Sequence, residues 1–163
     1  MRYASIRQMD ISNGEGIGVA LFVQGCHFHC FNCFNPNTWD FNGGKEFDIY
    51  EYDTLIKAVK QPFIQRVSFL GGEPLCPENR PYVTNISNMI TALYPTKTQW
   101  LYTGYKWEEI KDLPIMEYLD VVVDGQYEDD KRDVTLKWRG SSNQRVIDVQ
   151  ESLKQNKVIL WCD

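Results

Sequence analysis

The 163-residue sequence has no long apolar stretch: its longest run, Ile17–Val23, falls far short of the roughly 18 residues that mark a membrane span. It opens Met1-Arg2-Tyr3-Ala4-Ser5, without the apolar segment of a secretory signal. Positive charge is in deficit, with 17 Lys and Arg against 22 Asp and Glu and a net charge of −5. Duplex binding relies on clustered Lys and Arg, so this balance argues against a nucleic-acid partner. Histidine is nearly absent, at His27 and His29 only. Repeats, low-complexity tracts and long linkers are missing too. What is present is 43% hydrophobic residues with 5 Trp, 9 Tyr and 8 Phe, enough to bury a core at this length without disulfide staples. The expectation is one cytoplasmic domain over residues 1–163, away from membranes.

Five cysteines are an odd number for a disulfide framework. Cys26, Cys30 and Cys33 are crowded as C-x3-C-x2-C, whereas Cys76 and Cys162 stand apart. Thiols this close in a reducing compartment are metal or cluster ligands more often than bridges. A structural zinc site or an electron-transfer cluster takes four protein ligands. Three thiolates on a [4Fe–4S] cube leave one iron open for a small chelating molecule. His27 or His29 could instead complete a Cys3His zinc knuckle. Cys76 or Cys162 could supply a distant fourth ligand, although both read more simply as free thiols.

Strand-like runs recur at Ile17–Val23, Arg66–Leu70, Gln99–Tyr102, Leu119–Val123, Arg145–Val149 and Lys157–Trp161. Several are continuously apolar, as buried parallel strands are. Helical spacing lies between them, at Tyr52–Val59 behind an Asp48/Glu51 capping box, at Val83–Leu93 before Pro95, and at Trp107–Asp112 before Pro114. The alternation predicts an α/β fold, an open partial (β/α) barrel of five or six mostly parallel strands. Four of these strands are followed by Gly25-Cys26, Gly71-Gly72-Glu73-Pro74, Thr103-Gly104 and Asp124-Gly125. In parallel α/β folds ligands bind beyond the carboxyl ends of the strands. The cysteines and these turns are therefore expected on one rim.

The cysteine loop after the first strand and Gly71-Gly72-Glu73-Pro74 after the second resemble the radical S-adenosylmethionine (SAM) superfamily. Asn13–Gly16, Phe22–Cys26, Asn35–Trp39, Tyr102–Tyr105, Val123–Gly125 and Arg139–Arg145 narrow the likeness to activating enzymes of anaerobic (class III) ribonucleotide reductase. The chain departs from the pattern at Asn32, where many members have an aromatic residue, and at Glu15 and Gly18, where related activases often have Pro and Arg.

The resemblance implies one [4Fe–4S] cluster on Cys26, Cys30 and Cys33, with SAM as second cofactor. Asn32, Cys33 and Phe34 would lie against SAM. Gly71, Gly72, Glu73 and Pro74 would meet its amino acid part, with the glycine carbonyls or Glu73 accepting from the ammonium. Thr103 and Asp124 would bond its ribose or methionyl group. It further implies reductive cleavage of SAM, hydrogen abstraction from a glycine of the reductase large subunit, and an electron donor such as flavodoxin. Phe28, Phe34, Trp39 and Phe41 are candidates for a partner-facing surface. Rival readings are a small radical SAM enzyme with a small-molecule substrate and a zinc or iron–sulfur module without catalysis.

Overall fold

The computed structural model describes residues 1–163. One seven-stranded sheet organises the chain, in the order β3-β1-β2-β4-β5-β6-β7. The strands are β1 Arg2–Asp10, β2 Gly18–Val23, β3 Lys45–Glu46, β4 Arg66–Gly71, β5 Thr98–Tyr102, β6 Val121–Asp124 and β7 Arg145–Asp148. Neighbours β2, β4, β5 and β6 run parallel. The outer strands β3, β1 and β7 pair antiparallel, and the sheet is open. Crossovers between the parallel strands carry helices α1 Ile49–Lys60, α2 Arg80–Leu93 and α3 Trp107–Ile110, while α4 Val149–Gln155 follows β7. No helix is long and apolar enough to cross a membrane.

This is the expected α/β class, but with seven strands rather than five or six and with three antiparallel pairings. Two strands escaped the sequence reading. Strand β1 is largely polar and half-exposed, so no apolar run announces it, and β3 is only two residues long. Conversely, Lys157–Trp161 forms no strand. It follows β7 through an isolated Ile147–Leu160 bridge and two backbone bonds, Asp148 N–H to Ile159 and Trp161 N–H to Val146. Val149 starts α4 rather than ending β7, because Asp148 caps that helix by accepting from Glu151 N–H at 3.0 Å.

The sheet has two unlike faces. On one, Val19, Leu21, Val67, Phe69, Leu101, Val122 and Ile147 alternate along the strands and meet Leu55, Val59, Val83, Ile86, Ile90, Trp107 and Ile110 of the helices. Each fully buried Val, Leu, Ile or Phe is worth about 1.5–3 kcal/mol, so this layer holds the fold together. The other face presents Ala20, Phe22, Leu70, Trp100, Val121, Val123 and Val146. No helix covers it.

Irregular chain covers this second face instead, and a buried ion pair anchors part of it. Arg66 and Asp10, both fully buried side chains, meet at 3.0 Å. Arg66 also donates to the carbonyls of Asp10 and Glu15 and to Ser68 Oγ, which in turn donates to the Asn13 carbonyl. Residues 11–17 are thus fixed across the sheet.

Candidate cofactor site

Parallel pairing brings the carboxyl ends of β2, β4, β5 and β6 to one edge, and the chain crosses between layers there. Gly71 has φ 103°, and a Cβ on it or on Gly72 would collide with the backbone of Phe22 and Val23 or of Gly25. Glycine is needed here so that the turn after β4 can lie against the start of the cysteine loop. The two are stitched by Gly72 N–H to Val23 at 2.8 Å and Glu73 N–H to Gly25 at 2.7 Å. Asn79 adds bonds from Nδ2 to the carbonyls of Gln24 and Glu73.

The cysteine loop closes on itself. Gly25 N–H donates to Thr38 and Cys26 N–H to Trp39, while Gln24 Nε2 reaches the carbonyls of Asn37 and Asp40. Within it, His29 and Asn32 take left-handed backbone, φ 49° and 55°. These turns bring Cys26, Cys30 and Cys33 to the wall of one cavity of about 550 Å³. Gly71, Gly72, Thr103 and Gly104 line the same cavity, and Phe22, Leu70 and Tyr102 supply its sheet-side wall.

The donor set suits a cluster. All three thiols face the cavity and neither histidine does. His27 bonds Glu78 at 2.8 Å, and His29 stacks on Trp39 with ring centroids 4.4 Å apart. No group of three or more His, Cys, Asp and Glu side chains is gathered tightly enough to hold a single metal ion. Backbone N–H groups point at the sulfurs: Asn35 at Cys33 Sγ, 3.3 Å away, Phe28 and His29 at Cys26, and Tyr127 at Cys30. Burial pushes the Cys26 and Cys30 thiols up, and these donors oppose it. Hydrogen bonds of this kind set the potential of an iron–sulfur cluster. Cys76 is buried away from the cavity, its thiol pushed up to about 12 by burial, and Cys162 lies near Trp161.

Comparison with known proteins agrees with this chemistry. Residues 12–147 match the family model described as a 4Fe-4S single cluster domain. The chain is 40% identical to the anaerobic ribonucleoside-triphosphate reductase-activating protein of Enterobacteria phage T4, over 90% of this chain and 93% of that protein. It is 38% identical to the protein of the same name from Escherichia coli K12, over 90% and 97%.

The chain belongs to the anaerobic ribonucleoside-triphosphate reductase-activating proteins.

In this member of the activating-protein family, not every residue singled out from the sequence reaches the cavity. Cys26, Cys30, Cys33, Phe34, Gly71, Gly72 and Thr103 line it; Asn32, Glu73, Pro74 and Asp124 do not. Asn32 is exposed and donates to Asp129 at 3.0 Å, tying the cysteine loop to the β6–β7 connection. Pro74 is buried in the turn. The buried Glu73 carboxylate accepts from Leu75 N–H, Thr103 Oγ1 and Gly104 N–H; burial outweighs these donors and pushes its pKa up to about 7. Asp124 accepts from Trp107 N–H at 2.8 Å and pairs with Arg145.

Of the aromatic candidates for a partner surface, Phe28 packs edge-on against Tyr105 and Phe41 lies over His27. Trp39 stacks on His29. Phe34 remains 60% exposed. Of the other lining residues, Tyr102 and Arg139 entered the sequence reading only as the first residues of two stretches that carry the resemblance, and Trp138 not at all. Tyr102 carried a signal, since it lies two residues after Trp100 and so shares its face of the sheet. Trp138 lies in irregular chain, where no periodicity marks a buried side.

Proposed function

We propose that the chain is a single-domain radical SAM activase whose open sheet serves as a partial barrel. Cys26, Cys30 and Cys33 hold a [4Fe–4S] cluster. When bound, the cluster would supply one electron to the sulfonium of SAM, breaking one C–S bond to give methionine and a 5′-deoxyadenosyl radical able to take a hydrogen atom from a glycine of the anaerobic reductase large subunit. The observation that carries this reading is the meeting of all three motif cysteines with Gly71, Gly72 and Thr103 on one cavity, in a chain of this family.

The protein's own residues bind, orient and shield. Gly71 and Gly72 bare their backbone to the cavity beside the thiols, suited to the polar amino acid part of SAM. Thr103 presents a hydroxyl from the next strand end. Glu73 and Asp124 act from behind the wall, bracing the turns that carry Thr103 and Gly125. Phe22, Leu70 and Phe28 make the walls apolar and keep water from a reactive species. An external reductant such as flavodoxin would feed the cluster through the exposed cysteine loop.

The test is anaerobic incubation of the iron-loaded protein with SAM, a low-potential reductant and the reductase large subunit. The expected result is SAM cleavage together with a glycyl-radical electron-spin signal on the large subunit. Stoichiometric zinc in place of about four irons and four sulfides, with no SAM cleavage, would overturn it.

A further inference from the structure

The three motif sulfurs differ in where their backbone donors come from. Cys26 takes them from Phe28 and His29, and Cys33 from Asn35, all within the cysteine loop. Cys30 has its own N–H and, from outside the loop, the N–H of Tyr127 in the β6–β7 connection. Its Sγ also donates to Gln126 Oε1 at 3.8 Å, a bond that a metal-bound thiolate has no proton to make.

What aims the Tyr127 N–H is the other end of its peptide. The Gln126 carbonyl and the Tyr127 N–H belong to one planar unit, and no peptide bond in the chain is cis, so the two point in opposite directions. Asn143 Nδ2 donates to that carbonyl at 2.7 Å. The carbonyl before it, on Gly125, accepts from Gln144 Nε2 at 3.0 Å. The side chain of Tyr127 is tied separately. Its ring packs on Phe34 with centroids 4.9 Å apart, and its hydroxyl donates at 2.7 Å to Asp129, which Asn32 also reaches.

A chain of donors therefore runs from the Asn143 amide through the Gln126–Tyr127 peptide to Cys30 Sγ. Hydrogen bonds in series polarise one another. A donor on a ligand sulfur favours the reduced, more negative form of a cluster and so raises its potential. Resting on the proposed function only in that Cys30 holds a cluster, we infer that Asn143 is a positioning residue that sets the reduction potential of that cluster. It does so from outside the cavity wall, which it does not line. This gives the Arg139–Arg145 stretch a role exerted through the β6–β7 connection.

The experiment is an anaerobic redox titration of the iron-loaded protein, without SAM or the large subunit, reading the electron-spin signal of the reduced cluster against solution potential. Asn143→Leu keeps the approximate shape and the charge but removes the donor. At a fixed solution potential its ratio of reduced to oxidised cluster is expected about three- to tenfold below that of the wild type, the scale of one hydrogen bond. Tyr127→Phe frees Asp129 but keeps the N–H, and should move the ratio by less than about twofold. An unchanged ratio in Asn143→Leu overturns the inference. So does an equal fall in Tyr127→Phe, which would show a loosened connection rather than an aimed donor. If Asn143→Leu does not retain iron, Asn143→Ala, which adds no bulk, decides by the same criterion, and loss of iron there too overturns the inference in favour of a structural role. A wild type that takes up no iron–sulfur cluster would refute the proposed function instead.

Discussion

Thr103 Oγ1 donates a 2.7 Å hydrogen bond to Glu73 Oε1, locking the turn after β5 to the turn after β4. Leu75 and Gly104 N–H groups complete the grip on the carboxylate. One buried acid, outside the cavity wall, thereby sets the position of two turns that form it.

The same burial makes stability depend on pH. Because Glu73 titrates near 7 when folded and at 4.5 ordinarily, the folded protein keeps a proton that the unfolded chain releases between those values. Stability from this group is greatest below pH 4.5 and falls as pH rises toward 7, by about 3 kcal/mol in all. Urea midpoints at pH 5 and pH 8 should therefore drop further in the wild type than in Glu73→Gln. Parallel changes in the two proteins would show that Glu73 is not the group responsible.

Arg66 and Asp10 form a pair with no exposure on either side chain. Burial alone would push Asp10 up, but hydrogen bonds from Arg66, Asn13 and Arg7 outweigh it and hold its pKa below the usual carboxylate range. Removing one partner of such a pair costs about 3–5 kcal/mol, which for a chain of this length lowers Tm by roughly 6–20 °C. Arg66→Met should show that loss in thermal melts, and adding Asp10→Asn should recover part of it. Full additivity of the two would mean that the charges are not coupled.

Metal content separates the cysteines. Replacing Cys26, Cys30 or Cys33 by Ala should abolish retention of the cluster, whereas Cys76→Ala and Cys162→Ala should keep iron and sulfide at the wild-type level. Iron loss on either of the last two would redraw the ligand set.

Asp124 binds Trp107 N–H and Arg145, and Arg145 continues to Glu108 at 3.1 Å. Asp124→Asn should weaken this brace by about 1–3 kcal/mol, a fall in Tm of roughly 2–12 °C. SAM affinity should change less than twofold. A tenfold loss of SAM affinity with an unchanged melt would place the carboxylate in the site itself.

Much of this architecture was readable where one physical signal dominated. Strands β2, β4, β5 and β6 are buried on both faces and spell out apolar runs. Helix α1 begins where expected, with Asp48 accepting from Tyr50 N–H at 2.8 Å and Glu51 returning to Asp48 N–H at 3.4 Å. The cysteine spacing marked the cavity because three thiols in one loop have few other uses. The partners of Glu73 and Asp124 were not legible: a carboxylate after a strand reads the same whether it faces a ligand or a neighbouring backbone N–H. Trp138 was hidden for a related reason, since a side chain in irregular structure gives no period to follow. Gly71 and Gly72 line the cavity, but contact between two stretches of this chain is enough to require them.

All four helices lie on one side of the sheet, so the protein is lopsided in what it can tolerate. The helical half holds the larger apolar core, whereas the half that carries the cavity is upholstered with irregular chain, chiefly residues 125–144. Sequence drift in that upholstery can reshape the cavity while the scaffold behind it stays intact, which leaves the pocket free to change without loss of the fold.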